Sequence, residues 1–105
     1  MAPRIAVLLP CRNEEVAVCD VVRGFRQSLP EATIHVFDNA STDATAERAL
    51  AAGAQVHSES RPGKGNVVRR MFSDIDADIY VIADGDGTYD PTASREMVDL
   101  LMADT

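Results

Sequence analysis

Two aspartates late in the chain, Asp84 and Asp86, alternate with glycines and directly follow the apolar run 80–83. Two carboxylates one residue apart at the end of a strand can reach one hard divalent cation, and Mg²⁺ or Mn²⁺ held this way keeps positions free for phosphate oxygens. Such an ion would stabilise the charge that develops on a diphosphate leaving group. A polar turn rich in Asp and Gly is also common, so the motif alone leaves a purely structural turn open.

Lys64 lies between two glycines at the start of a predicted helix. It is a candidate phosphate ligand, because the helix N-terminus supplies backbone donors and the ammonium supplies charge. Together with Arg61, Arg69 and Arg70 it forms a basic cluster in a chain of net charge −7. The cluster indicates either a local anion site or a solvated helix face. The net charge itself argues against non-specific binding to nucleic acid or to an anionic membrane.

Two more acidic residues follow predicted strands. Asp38 could accept a hydrogen bond from a nucleobase imide or a ribose hydroxyl, or it could cap the helix after it. Glu14 could contact a ligand or could simply lie in the favoured first turn of a helix. His35 and His57 have no partner at a suggestive spacing, and we expect both to be structural.

Apolar runs and helical spacings alternate along the chain. They predict strands at 5–10, 33–38, 55–58 and 78–83, and helices from about 14 to 29, from a Ser41 or Thr42 cap to Gly53, from about 66 to 75, and from an Asp90 cap to about 102. A β-α repeat with short connections favours parallel strands and right-handed crossovers. The sequence therefore predicts one α/β domain over 1–105, a Rossmann-like three-layer α/β/α fold with a mainly parallel sheet.

Polar motifs follow all four predicted strands, at 10–14, 38–41, 61–64 and 84–88. In open parallel sheets, ligands bind outside the carboxyl ends of the strands. We therefore expect these motifs to form one site at that edge.

Four motifs, read together, resemble family 2 glycosyltransferases of the GT-A type. They are Leu9-Pro-Cys-Arg-Asn-Glu14, Phe37-Asp-Asn-Ala-Ser-Thr-Asp43, Gly63-Lys-Gly-Asn66 and Ala83-Asp-Gly-Asp-Gly-Thr-Tyr-Asp-Pro91. The resemblance covers essentially the whole chain and looks closest to the branch of dolichyl-phosphate and polyprenyl-phosphate sugar transferases. It implies a UDP- or GDP-linked sugar donor, Mg²⁺ or Mn²⁺, and a polyprenyl phosphate as a candidate acceptor.

The resemblance also implies roles for individual residues. Positions matching Pro10, Arg12 and Glu14 line the nucleoside pocket, and the position matching Asp38 contacts the base. The position matching Lys64 lies near the nucleotide, while Asp84 and Asp86 match the Asp-x-Asp metal and diphosphate motif.

The chain departs from the family pattern soon after Thr88. Family members continue into an acceptor-binding half that carries the activating carboxylate, so we expect a truncated donor-binding portion with no catalytic base and no turnover. In a sheet of order 3-2-1-4 strand four would then be an edge, which predicts self-association through this edge or exchange of the last helix. No signal-peptide core or stretch of ~20 apolar residues is present, so we expect a cytoplasmic protein that meets membranes only through its acceptor.

Two other functions remain open on the sequence. Asp84-Gly-Asp-Gly-Thr88 fits the nucleophile motif of haloacid-dehalogenase-like phosphatases, with Asp84 as nucleophile and Asp86 as acid/base beside Mg²⁺. That motif normally opens a catalytic domain, whereas here it comes late. The third possibility is a nucleotide-binding module that never catalyses.

Overall fold

The computed structural model describes residues 2–103, in which four strands alternate with four helices. In chain order these are β1 Ile5–Cys11, α1 Val18–Ser28, β2 Thr33–Asn39, α2 Thr45–Ala51, β3 Gln55–Glu59, α3 Lys64–Asp74, β4 Ile79–Ile82 and α4 Pro91–Ala103. The strands form a parallel sheet of order β3-β2-β1-β4. The predicted α/β class and strand order are confirmed.

The central strand β1 is apolar throughout because both of its faces are covered. Leu8 pairs with His35 of β2 on one side and with Ile82 of β4 on the other. On one face, Ala6 and Leu8 pack with Met71 of α3. The opposite face carries a larger core shared with α1, α2 and α4, including Val7, Leu9, Val18, Phe25, Val36, Ala49 and Val98. Helices thus cover both faces, which confirms the three layers.

The first two helices begin later than the sequence predicted. α1 starts at Val18 rather than near Glu14, because side chains of the next loop take up the backbone N–H groups before it. The Glu14 N–H donates to Thr45 Oγ1 at 2.8 Å, and the Glu15 N–H donates to Asp43. α2 starts at Thr45.

Ser41 and Thr42 do not cap α2, contrary to the prediction. Ser41 Oγ accepts the Asn13 N–H at 2.9 Å, and the Thr42 N–H donates to Asn13 Oδ1 at 2.9 Å. Asp43 accepts the Thr45 N–H at 3.0 Å. The predicted start of the fourth helix is confirmed, since Asp90 Oδ1 accepts the Thr92 N–H at 3.0 Å.

The two histidines contact each other, although the sequence suggested no partner for either. His35 Nδ1 lies 3.0 Å from His57 Nε2, and His35 Nε2 lies 3.0 Å from Thr33 Oγ1. His57 also stacks on Phe37 at a ring-centroid distance of 4.6 Å. Burial lowers the pKa of both imidazoles, so the pair is a packed element of the β2–β3 ladder.

The outer side of β4 is apolar and open among residues 2–103. β4 lies at the end of the sheet and pairs with β1. Ile82 and, on α4, Met97, Leu100 and Leu101 are 46–69% exposed. Phe72 of α3 is also exposed and contacts Tyr80 edge to face. None of the described helices is both long and apolar enough to cross a membrane.

Candidate functional site

A cleft of about 320 Å³ opens at the carboxyl ends of β1, β2 and β4, beside the N-terminus of α3. Six of the seven residues predicted for the site line it, namely Pro10, Arg12, Glu14, Lys64, Asp84 and Asp86. The structure therefore brings residues of all four polar motifs to one place, with Asn39 representing the motif at 38–41, as expected for the edge of a parallel sheet.

Lys64 and Asp84 form an ion pair across this cleft. Lys64 Nζ lies 2.8 Å from Asp84 Oδ1, and both side chains are more than half exposed. The hydrogen bond and the charge of Asp84 raise the pKa of Lys64. The ammonium is therefore charged at neutral pH and occupies one oxygen of a predicted metal ligand.

Asp86 is held within its own turn. Its Oδ1 accepts the Thr88 N–H at 3.0 Å and the Thr88 hydroxyl at 2.7 Å. The hydroxyl bond is the main reason why the pKa of Asp86 is lowered. Gly87, at φ +83°, provides the left-handed backbone that closes the turn. Asp86 is thus an oriented, ionised carboxylate at the mouth of the cleft.

Gly85 packs directly against Cys11 at the end of β1. The Gly85 N–H donates to Pro10 O at 3.4 Å, which docks the turn onto β1. A side-chain carbon at Gly85 would overlap the sulfur of Cys11. Burial, together with the charge of Glu14 and other acids, raises the pKa of the Cys11 thiol to about 12, so it is a packing group and not a nucleophile. The sequence signal for this contact was only the glycine between two aspartates.

Asn39 belongs to the cleft but was not singled out from the sequence. It ends β2, is 6% exposed and lines the cleft. Its amide bonds to the backbone of the segment that leads into α3. The available sequence signal for Asn39 was that it is a polar residue at the end of a predicted strand. The neighbouring Asp38 has the same signal, so the pattern did not distinguish the two.

Asp38 does not line the cleft. It pairs in register with Cys11 and, because side chains alternate along a strand, faces the opposite side of β2 from Asn39. Its Oδ1 is buried, and no hydrogen-bond partner for it exists within residues 2–103. A buried carboxylate oxygen without a partner is costly, so this atom is suited to accept a bond from a ligand.

Most of the basic cluster turns away from the cleft. Arg61 pairs with the buried Glu59 at 3.0 Å, and Arg70 pairs with Asp74 at 2.8 Å and donates to Ser58 O. Within the described part of the chain, Lys64 is the one member of the cluster that lines the cleft.

Asp84 and Asp86 form an incomplete donor set for a metal. Within residues 2–103 no group of three His, Cys, Asp or Glu side chains could hold an ion. Two exposed carboxylates fit Mg²⁺ or Mn²⁺, which commonly take their other ligands from water and substrate phosphates. They do not fit a closed structural metal site.

The parallel sheet of order 3-2-1-4, with an Asp-Gly-Asp turn after β4, defines a domain of the GT-A class. The glycosyl transferase family 2 description matches residues 6–105 of the chain. The chain belongs to this family.

Two relatives illustrate the family membership. The chain is 56% identical over 98 residues to protein RfbJ of Shigella flexneri, covering 93% of this chain and 76% of that protein. It is 40% identical over 98 residues to glycosyltransferase AglJ of Haloferax volcanii, covering 92% of this chain and 32% of AglJ.

The fold also matches solved structures of glucosyl-3-phosphoglycerate synthase from Mycobacterium tuberculosis. The complex with Mn²⁺, UDP and glucosyl-3-phosphoglycerate superposes with a TM-score of 0.84 at 32% identity, covering 95% of this chain and 40% of that one. Other complexes of the synthase contain UDP-glucose with Mn²⁺, or UDP with Mg²⁺. The chain thus spans about a third of AglJ and two fifths of the synthase.

Proposed function

We propose that this chain is the donor-binding portion of a glycosyltransferase and binds a nucleoside diphosphate sugar together with Mg²⁺ or Mn²⁺. The observation that carries the proposal is the cleft in which Asp84, Asp86 and Lys64 meet at the carboxyl edge of the sheet. The complexes of the mycobacterial synthase with UDP and Mn²⁺ or Mg²⁺ support it.

Asp84 and Asp86 are the proposed metal ligands. A bound divalent ion would supply Lewis-acid stabilisation of the diphosphate leaving group. Lys64 would give up its bond to Asp84 and donate to a phosphate oxygen next to the N-terminus of α3. The exposed positions of both side chains allow this exchange without a backbone movement.

The nucleoside is assigned to the segment after β1 and to the end of β2. Pro10, Arg12 and Glu14 line the cleft, and reciprocal bonds between Asn13 and the loop after β2 hold their segment in place. We assign Asp38 to the base on the motif resemblance. It pairs with the cleft residue Cys11, and its partnerless Oδ1 would accept an imide N–H if the side chain turned towards the ligand.

The acceptor is assigned separately from the donor. We assign no catalytic base within residues 2–103, and we propose that the chain binds its donor without turnover. A polyprenyl phosphate is the proposed acceptor, on the motif resemblance alone. Incubating the chain with UDP- and GDP-sugars plus a polyprenyl phosphate tests the first point, because any sugar transfer would refute the lack of turnover.

We also propose that two copies associate through β4 or by exchange of α4. The support is that β4 is an edge strand and that exposed apolar side chains lie on β4 and α4, namely Ile82, Met97, Leu100 and Leu101. Sedimentation should show a dimer that dissociates on dilution and weakens in Ile82→Lys. A wild-type chain that stays monomeric at all concentrations would contradict this.

Calorimetric titration tests the central proposal. UDP, GDP and their sugars are titrated with and without Mn²⁺ into the wild type, Asp86→Ala and the control Asp76→Ala, an exposed aspartate paired with Arg4 outside the cleft. We expect metal-dependent binding that is lost in Asp86→Ala and kept in Asp76→Ala. Equal binding without Mn²⁺ would refute the metal role, and no binding of any nucleotide would refute the function.

A further inference from the structure

Asn39 is a buried polar residue that reaches into the cleft from the end of β2. It is 6% exposed and lines the same cleft as Lys64 and Asp84. Because β2 pairs with β1 in the sheet, the backbone of Asn39 is held in place beside the loop that follows β3.

The side-chain amide of Asn39 uses both its donors and its acceptor on that loop. Nδ2 donates to Glu59 O at 3.0 Å and to Arg61 O at 2.8 Å, and Oδ1 accepts the Gly63 N–H at 3.2 Å. Asparagine suits this arrangement because one short side chain offers two N–H donors and a carbonyl acceptor. Aspartate would keep the shape but would face two carbonyl oxygens with no donor.

The last of the three bonds, to Gly63, lies directly before the first residue of α3. Gly63 adopts φ +119° and immediately precedes Lys64, the first residue of α3. The ammonium of Lys64 then lies 2.8 Å from Asp84 Oδ1. The direction in which Lys64 leaves the backbone is therefore set by the segment that Asn39 holds.

We propose that Asn39 is a positioning residue of the donor site: it fixes the 59–63 segment so that α3 starts at Lys64 and the ammonium faces Asp84. This inference rests on the proposed function, in which Lys64 binds the diphosphate. Asn39 acts through Lys64 and does not itself bind the nucleotide. The pairing of Glu59 with Arg61 supports the same segment from its other side but makes no bond to Gly63.

A double-mutant cycle tests whether Asn39 acts through Lys64. The affinities for UDP and GDP at saturating Mn²⁺ are measured for the wild type, Asn39→Ala, Lys64→Met and the double variant. Asn39→Ala should weaken binding of the preferred nucleotide about tenfold in the wild-type background and less than about twofold in the Lys64→Met background. A tenfold loss that persists without Lys64 would overturn the proposal, because Asn39 would then act on the ligand directly.

Two controls separate positioning from general loss of stability. Ser94→Ala removes another buried hydrogen bond, to Pro91 O on α4 and outside the cleft, and should lower the melting temperature without changing nucleotide affinity. Asn39→Asp keeps the side-chain size, so it serves if Asn39→Ala does not fold, and it should weaken binding in the same Lys64-dependent way. Weaker binding in Ser94→Ala to the same extent would overturn the positioning role.

A ligand-free measurement distinguishes failure of this inference from failure of the proposed function. Lys64 is the only lysine in the sequence, so lysine labelled with ¹³C at Cε gives one NMR signal. At fixed pH that signal should move in Asn39→Ala towards its position in Asp84→Asn, and stay in place in Ser94→Ala. An unmoved signal in Asn39→Ala overturns the inference, whether or not the wild type binds a nucleotide.

Discussion

Replacing Lys64 by methionine should strengthen metal binding in the absence of nucleotide and weaken nucleotide binding in the presence of metal. The ammonium lies 2.8 Å from Asp84 Oδ1, where a divalent ion would also bind. At the proposed metal site, metal and lysine would therefore compete for one carboxylate. Once a diphosphate is bound, the same lysine has a second anion to bind, and the competition ends.

The size of the effect follows from the geometry. An ion about 2–2.5 Å from the carboxylate oxygen would lie roughly 5 Å from the ammonium nitrogen. A divalent charge and a single charge at that distance repel by about 1.5 kcal/mol in a medium as polar as water. This corresponds to roughly tenfold in affinity, and both salt and rotation of the exposed lysine away from the ion would reduce it.

Electron paramagnetic resonance of free Mn²⁺ measures the first effect, and calorimetry with UDP at saturating Mn²⁺ measures the second. The matched control is Arg69→Met, which removes one positive charge from the exposed face of α3 outside the cleft. It should change neither affinity by more than about twofold, since screening weakens distant exposed charges. If Lys64→Met leaves Mn²⁺ affinity unchanged or lowers it, Lys64 does not compete with the metal and the reasoning fails.

Three further changes test the architecture around the cleft. Gly85→Ala should destabilise the chain by about 1–3 kcal/mol and weaken Mn²⁺ binding, because the new methyl group overlaps the Cys11 sulfur. Adding Cys11→Ala should restore much of the stability, measured by urea unfolding, and much of the Mn²⁺ affinity, measured by metal titration. Burial lowers the pKa values of His35 and His57 below the ordinary 6.5. The stability that this pair contributes is therefore complete above pH 6.5 and is lost as pH falls through the folded-state pKa values. Urea unfolding from pH 8 to 5 should show a steeper loss of stability in the wild type than in His57→Gln. Asp38→Asn should raise the free energy of unfolding by up to about 1 kcal/mol, since one oxygen of the carboxylate is buried without a hydrogen-bond partner within residues 2–103, while weakening nucleotide binding.

Each of these predictions can fail in a specific way. If the Cys11→Ala background does not improve Gly85→Ala, the glycine is required for a reason other than the sulfur. Equal pH profiles for the wild type and His57→Gln would mean that folding does not lower the pKa of the histidine pair. Unchanged nucleotide affinity in Asp38→Asn would remove the base-contact assignment.

Local sequence patterns were sufficient for the sheet and for most of the cleft. The run that became β1 is apolar on both faces, which is typical of a central parallel strand, and the residues after it had to lie at the carboxyl edge. Asp84 and Lys64 could be proposed from strand ends and glycines alone. Their ion pair could not, because it joins residues that are brought together only by the order β3-β2-β1-β4.

The wrong or missing predictions share a physical cause. α1 and α2 begin late because Thr45, Asp43 and Ser41 bond across to the loop after β1, which no pattern within one helix reveals. The contact between His35 and His57 depends on the register between β2 and β3. In each case a side chain from a different element determines the local backbone.

The same arrangement explains how the site combines rigidity with exchange of ligands. The backbone around the cleft is held in place by the bonds of Asn39 to the loop before α3 and by the hydrogen bond from the Gly85 N–H to Pro10 O. The charged side chains of the cleft, Lys64 and Asp84, are exposed and form a surface ion pair, which contributes about 0–1 kcal/mol. So weak a pair can be broken by a metal ion and a diphosphate at little cost, while the backbone that aims both side chains stays in place. A donor site that must bind and release its nucleotide needs a fixed backbone together with charged side chains that can exchange partners.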